Sequence, residues 1–198
     1  MTDYLSLNYN DKGRWASYWH QIKEVLEFNP KKVLVIGKGD GLVPMYLKNS
    51  GAEVVTLDND EMLNPDMTAS VLNMPIDDDS FDVVLCAEVL EHLPFGDFHR
   101  ALAEIERVAK FGAIISLPHF GPAVRFLLKL PFLSEIKFLL KLPYPLAHIF
   151  KVEHYWEIGK KNYPLKLIKS EIAKAGFSIK KDYIVFENPL HHFFILKK

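Results

Sequence analysis

The sequence predicts an α/β fold in which helices cover both faces of a mostly parallel sheet. Runs of branched apolar residues alternate with helical patterns along the first two thirds of the chain. These runs are continuously apolar, as expected of strands buried on both faces. Near the end, the strand-like runs 177–186 and 191–198 are separated by only four residues, so they must pair as an antiparallel hairpin. The predicted architecture is therefore a doubly wound sheet that ends in a hairpin.

The individual elements follow from the same patterns. Asn162 and Gly176 are the expected caps of the last helix. The predicted helices are 13–28, 42–51, 97–110 and 162–176. The predicted strands before the hairpin are 31–37, 53–58, 67–72, 81–87 and 113–118.

Composition predicts one domain over residues 1–198, and it excludes a disulfide-stapled protein. The single cysteine, Cys86, fits a reducing compartment. The polar N-terminus lacks a signal-peptide pattern, and the chain has no apolar run of about 18 residues. We therefore expect a cytoplasmic protein.

Charge is distributed unevenly along the chain. Residues 1–112 contain 10 Lys/Arg and 19 Asp/Glu, whereas residues 113–198 contain 14 and 6. The asymmetry indicates either two surfaces with different roles or solvated faces that differ in charge without any functional consequence.

A glycine-rich turn follows the first strand, in VLVIGKGDGL at 33–42. A strand that ends in such a turn is typical of nucleotide-like cofactor sites. The dinucleotide fingerprint G-x-G-x-x-G fails because Leu42 stands at its third glycine. Asp40 is placed at the start of the next helix, where its carboxylate would compete with a pyrophosphate. Short-chain dehydrogenases are also excluded, since no tyrosine has a lysine four residues later. These features favour a cofactor without phosphates.

Three stretches resemble the class I S-adenosylmethionine-dependent methyltransferases. They are VLVIGKGDG with the acid of TLD (Asp58), SVLNMPIDDDSFDVVLCAEVLEHLP at 70–94 and ALAEIERVAKFGAIISLP at 101–118. The last two are similar to the small-molecule branch typified by quinone-biosynthesis enzymes. The resemblance implies a Rossmann-like seven-stranded sheet of order 3-2-1-4-5-7-6, with its last strand antiparallel. It also implies S-adenosylmethionine as cofactor and methyl transfer as activity.

The resemblance assigns a cofactor-binding set. Asp58 would accept hydrogen bonds from the ribose hydroxyls, or alternatively cap the next helix. Ser70 stands where relatives commonly have an aspartate that accepts from the adenine amino group. Lys38 is expected either to pair with the cofactor carboxylate or to point to solvent. The full expected set is Gly37, Lys38, Gly39, Gly41, Asp58, Asn59, Ser70, Val71 and Glu88.

The acceptor side is predicted from polar and aromatic residues. His92 is the candidate base, and its alternative role is to cap a helix end. The cluster 153–158 is expected to line the acceptor pocket or to form a small aromatic core. The expected acceptor-side residues are Arg14, Trp15, Tyr18, His119, Glu153, His154, Tyr155 and Trp156. No metal ligand set is expected, because HExxH and CxxC do not occur. A nucleic-acid substrate is not expected either, because CAEV replaces the Asn/Asp-Pro-Pro-Tyr/Phe stretch of base amino-methyltransferases.

An insertion of about 119–160 separates the fifth strand from the last helix. It repeats FLLKLP at 126–131 and 138–143, and each copy is expected to form helical turns stopped by proline. Segment 123–150 has four basic residues against one acid. It is interpreted as a lid over the acceptor or as a contact with a membrane surface. The prolines favour the lid, because they interrupt any long surface helix.

The sequence thus predicts a methyltransferase acting on a small apolar or anionic metabolite, with an undefined oligomeric state. Two alternatives stay open. One is a non-catalytic cofactor-binding or partner-dependent subunit. The other is a peripheral membrane-binding module that uses 123–150.

Overall fold

The computed structural model describes residues 6, 11–144, 146–150 and 153–198. Pro145, one of the prolines of the insertion, lies outside the described residues. The helices are α1 (Lys12–Leu26), α2 (Leu42–Asn49), α3 (Phe95–Val108) and α4 (Leu165–Lys174). The strands are β1 (Lys32–Ile36), β2 (Glu53–Asp58), β3 (Met67–Thr68), β4 (Phe81–Ala87), β5 (Ala109–Pro118), β6 (Ala123–Leu128), β7 (Ile136–Lys141), β8 (Ser178–Ile184) and β9 (His191–Lys197). Short 3-10 turns occur at Glu61–Leu63 and Leu90–His92.

Seven strands form one sheet in the order β3-β2-β1-β4-β5-β9-β8. The strands from β1 to β5 are parallel, and β9 runs antiparallel to both β5 and β8. Because β6 and β7 lie outside this sheet, β8 and β9 are its sixth and seventh strands. The predicted order 3-2-1-4-5-7-6 and the antiparallel last strand are therefore confirmed.

Side chains alternate between the two buried faces of the sheet. On β1, Leu34 and Ile36 pack under α3 and α4, whereas Val33 and Val35 pack under α1 and α2. This two-sided burial explains why the strand reads as a continuous apolar run.

Helix α4 begins later than predicted. Pro164 is its N-cap, not Asn162, because a proline near the first turn loses no helical hydrogen bond. Gly176 follows the C-cap Ala175 with φ +101°, the left-handed conformation that a glycine adopts without strain.

The predicted helical turns of the insertion are wrong. The two FLLKLP copies instead contribute to β6 and β7, which pair as a separate antiparallel hairpin with Phe126 opposite Phe138. Each apolar run is too short for a stable helix, and pairing with the other run satisfies its backbone groups. Among the described residues, no helix is long and apolar enough to cross a membrane.

Candidate active site

A cavity of about 770 Å³ opens at the carboxyl edge of the parallel strands. The loops that follow β1, β2, β4 and β5 converge on it, as expected for a doubly wound sheet. Helix α1 and the segment 153–157 close its other sides.

The turn after β1 packs closely against the loop after β4. Gly37 has φ +81°, and a Cβ there would lie 2.4 Å from Cγ2 of Val89. The position therefore requires glycine for both conformation and space. Gly39 and Gly41 belong to the same turn and also have positive φ. Gly39 lines the cavity, whereas Gly41, the N-cap of α2, does not. Lys38 lines the cavity, and its ammonium group donates to the carbonyl of Asn64. Its pairing with a cofactor carboxylate stays a prediction.

Asp58 ends β2 and holds the glycine turn in place. Its carboxylate accepts the amide N–H of Lys38 at 2.8 Å and that of Asp60 at 3.0 Å. The side chain that caps the following 3-10 turn is Asp60, through the amide of Met62. The alternative role of Asp58 as a helix cap is therefore wrong. Each of its oxygens keeps a lone pair for a ligand in the cavity, which Asp58 lines.

Asp40 occupies the start of α2, as predicted. It accepts the amide of Leu42 at 3.0 Å and the hydroxyl of Tyr18 at 2.9 Å. The carboxylate thus takes the helix-start amide that a pyrophosphate would use, and it anchors α1 over the glycine turn.

The loops after β2 and β3 supply further walls of the cavity. Asn59, Ser70 and Val71 all line it. The hydroxyl of Ser70 accepts the amide of Leu72 at 3.2 Å, so its own proton stays available for another acceptor.

Glu88 begins the turn after β4 in a left-handed conformation, with φ +53°. Its carboxylate accepts the hydroxyl of Ser116 at 2.8 Å and lies 3.6 Å from Nε2 of His191. A non-glycine residue held at positive φ is typical of functional turns.

His92 presents one ring nitrogen for proton transfer. Its Nδ1 lies 2.7 Å from the carbonyl of Glu153 and must donate to it, which leaves Nε2 as an acceptor. Burial lowers the pKa of His92, so the ring is neutral at pH 7. The geometry therefore suits a base, whereas the alternative cap of its own helix end is not formed.

Glu91 is fully buried behind His92, and neither carboxylate oxygen has a hydrogen bond among the described residues. Burial and the neighbouring Glu88 raise its pKa well above the usual value. Glu91, His92 and His154 bring ligand atoms within 4.8 Å of one another, a spacing that a divalent cation could use. The expectation of no metal stays a prediction, which metal analysis of the purified protein tests.

Three expected acceptor-side residues do not line the cavity. Trp15 and Tyr155 are exposed, and Trp156 is completely buried. Trp156 donates Nε1–H to the carbonyl of Leu93 at 3.1 Å and packs on Phe98 in an aromatic core. Segment 153–158 bends at Glu153 and Tyr155, so Tyr155 faces solvent and Trp156 faces the core. The remaining members, Arg14, Tyr18, His119, Glu153 and His154, line the cavity.

His119 is the end of a hydrogen-bonded chain from the last hairpin. Its Nδ1 lies 2.9 Å from Nδ1 of His192, whose Nε2 lies 2.9 Å from Asp182. Burial, then the neighbouring His192, lowers the pKa of His119 to about 3. Asp182 accepts from Nε2 of His192, so Nδ1 of a neutral His192 accepts from Nδ1 of His119. A neutral His119 therefore keeps Nε2 as an acceptor.

Sequence reasoning missed several cavity residues. Glu157 accepts from Nδ1 of His154 at 3.1 Å, and His191 faces Glu88. Only tertiary pairing brings His191 here, since it lies opposite Pro118 at the end of β5. The paired histidines at the start of the last strand were its one sequence signal.

Residues 34–117 match the family described as a methyltransferase domain. Over this range, which is less than half of the chain, the sequence is similar to that methyltransferase family. The matched region runs from β1 to the end of β5 and thus includes the glycine turn, Asp58 and the turn after β4.

The chain is also similar to an individual methyltransferase over part of its length. The chain is 30% identical over 129 residues to a ubiquinone biosynthesis O-methyltransferase of Hahella chejuensis. That alignment covers 50% of this chain and 53% of the relative, so the chain matches about half of that protein's length.

Solved structures share the fold. One is the magnesium protoporphyrin IX methyltransferase of Synechocystis with bound S-adenosylmethionine (TM-score 0.63, 16% identity, 94% of this chain and 80% of that one). Another is the 1,6-didemethyltoxoflavin N1-methyltransferase of Burkholderia thailandensis with bound S-adenosylhomocysteine (TM-score 0.62, 15% identity, 99% and 85%). At these identities the similarity establishes the Rossmann-like methyltransferase fold.

Proposed function

We propose that the protein transfers a methyl group from S-adenosylmethionine to a small metabolite. The observation that carries the proposal is the cavity at the sheet edge, which the glycine turn and Asp58 of the methyltransferase domain border directly. S-adenosylmethionine supplies an electrophilic methyl group, so positioning of the acceptor provides most of the acceleration.

The residues present fit this cofactor. Asp58 offers acceptor lone pairs for ribose hydroxyls, and Asp40 excludes a phosphate from the start of α2. Ser70, Val71 and Glu88 line the same cavity. The family resemblance assigns Ser70 and Val71 to adenine and Glu88 to the methionine part of the cofactor. A volume of about 770 Å³ lies within the range of sites that enclose a ligand of drug size.

The acceptor end of the cavity is polar and rich in acids. Its lining includes Glu88, Glu91, Glu153 and Glu157. This lining favours an acceptor that donates hydrogen bonds or carries positive charge over the apolar or anionic metabolite expected from the insertion. Nε2 of His92 is the group placed to remove a proton from such an acceptor.

Calorimetric titration with S-adenosylmethionine, S-adenosylhomocysteine and NAD tests the proposal. The wild type should bind the first two at micromolar concentration and not NAD, and Asp58→Ala should lose at least about 2 kcal/mol of binding free energy with its charge-assisted hydrogen bonds. Asp77→Ala, which removes an exposed acid that does not line the cavity, should bind as the wild type does. Absence of binding by a folded wild type would refute the proposal.

Turnover separates the enzyme from the alternative of a non-catalytic subunit. Methylation of an acceptor in a metabolite extract, lost in His92→Gln, is expected of the enzyme. Cofactor binding without any acceptor would favour the subunit. Membrane contact through 123–150 and a cytoplasmic location stay predictions, and the vesicle measurement described below addresses the first.

A further inference from the structure

The β6–β7 hairpin has two chemically different faces. Residues directly opposite each other in an antiparallel pair share a face, and so do residues two apart. One face is wholly apolar and consists of Val124, Phe126, Leu128, Ile136, Phe138 and Leu140. We call it the apolar face, and its six residues are each 37–56% exposed.

The opposite face attaches the hairpin to the domain. Arg125 donates to the carbonyls of Phe186 and Glu187 at 3.0 and 3.1 Å. Lys137 pairs with the carboxylate of Glu187 at 2.8 Å, and Lys141 donates to the carbonyl of Pro189 at 2.7 Å. These bonds direct the apolar face outward.

The exposed apolar area exceeds what a monomer usually presents. Half-exposed side chains of this size each offer roughly 100 Å², so the face offers on the order of 600 Å². With Leu130, Phe132 and Leu133 of the connecting loop, the total is on the order of 1,000 Å². The largest apolar patch of a monomer is about 300–600 Å², and a standard interface buries about 800 Å² per partner.

We propose that the apolar face is a dimer interface, on which the hairpin of a second copy of this chain packs face to face about a two-fold axis. A two-stranded hairpin is marginally stable alone, and packing on a second hairpin would supply the missing layer. The face carries no charged or hydrogen-bonding side chain that would select a partner of different chemistry. An identical apolar face is complementary to it by symmetry.

A membrane fits this surface less well than a second copy does. Three of the four basic residues of segment 123–150 bind the chain itself, so they are not free to attract anionic headgroups. The hairpin also has two open edges among the described residues, and hydrocarbon cannot satisfy their backbone groups.

Light scattering or sedimentation of the full chain at micromolar concentration tests the interface. The wild type should have twice the chain mass, and the double variant Phe126→Asp/Phe138→Asp should be monomeric. Its dimer dissociation constant should rise at least about 100-fold, because each copy would bury two carboxylates against apolar side chains. Phe111→Asp is the matched control, since Phe111 on β5 is as exposed (54%) as the two replaced phenylalanines (55%), and it should stay dimeric.

Single cysteines test the geometry without disrupting the face. The native Cys86 is buried, so the background is low. Leu140→Cys should form a disulfide-linked dimer under mild oxidation, whereas Leu127→Cys on the opposite face should not. A monomeric wild type, equal crosslinking of both cysteine variants, or a double variant as dimeric as the wild type would each refute the proposal.

Co-sedimentation with vesicles of phosphatidylcholine and phosphatidylserine tests the alternative that the apolar face binds a membrane. The wild type should remain in the supernatant after co-sedimentation. Vesicle binding by the wild type that the double variant loses would overturn the dimer in favour of a membrane surface. The dimer proposal does not depend on methyl transfer, so cofactor binding by the monomeric variant would leave the proposed function intact.

Discussion

At the scale of single residues, hydrogen bonds link the candidate site to its surroundings. Asp40 accepts the first backbone amide of α2, and Asp58 accepts a backbone amide of the glycine turn, while both line the cavity. Their chemistry was predictable from the chain, because an acid after a strand or before a helix has few local roles. The hydroxyl of Tyr18 on Asp40 was not, because 22 residues and a strand separate the two.

Tyr18→Phe should weaken both the fold and cofactor binding. Loss of the hydrogen bond to Asp40 should lower the free energy of unfolding by about 1 kcal/mol. The less restrained α1 should weaken S-adenosylmethionine binding by about fivefold. Urea denaturation and calorimetry measure the two effects. Tyr46→Phe, at an exposed tyrosine of α2, is the control, and a loss as large in this control would contradict the role of the Tyr18 hydroxyl.

At the scale of elements, segment 153–158 joins the cavity to the core. His154 and Glu157 point into the cavity, whereas Trp156 fills the space beside Phe95 and Phe98. The amide of Tyr155 donates to the carbonyl of Glu91, which aligns the segment with the turn after β4. The polar and aromatic residues of this segment show no helical or strand periodicity, so the sequence could not predict which of them face the cavity and which face the core.

Trp156→Ala should destabilise the protein by about 3–5 kcal/mol, because it leaves a large cavity in a packed aromatic core. Tyr155→Ala should cost less than about 1 kcal/mol, since that ring is exposed. Urea denaturation followed by far-UV circular dichroism compares the two. Equal costs would mean that the aromatic core does not depend on Trp156.

At the scale of the whole molecule, desolvated histidines make stability depend on pH: His192 is buried, His20 and His119 are partly buried, and His92 is more exposed. Burial is the largest cause that lowers the pKa values of His20, His92, His119 and His192. Below about pH 6.5 these histidines bind protons in the unfolded chain but not in the folded chain. The free energy of unfolding therefore falls as pH falls. The raised pKa of Glu91 acts in the opposite direction, because protonation favours its buried form.

We expect the free energy of unfolding to fall between pH 7 and pH 5, by at most about 1.4 kcal/mol per pH unit for each excluded proton. Partial exposure reduces the share of His119. His119→Asn, which keeps a donor for His192, should reduce this slope, and His99→Asn at an exposed histidine of α3 should not. Urea denaturation at several pH values measures the slope. An unchanged slope in His119→Asn would show that His119 binds its proton equally in both states.

The sequence by itself determined the strands of the sheet, the glycine turn and the acids that follow the strands, and the family resemblance implied the strand order. The strands, the turn and the acids depend on local features: continuous apolar runs, glycines at alternate turn positions, and acids at strand ends. Tertiary structure alone decided the conformation of the insertion, where two apolar runs form strands because they pair with each other. It also decided the pairing of His119 with His192, which lie 73 residues apart. Contacts of this kind depend on which distant surfaces remain to be covered, and no short stretch of sequence contains that information.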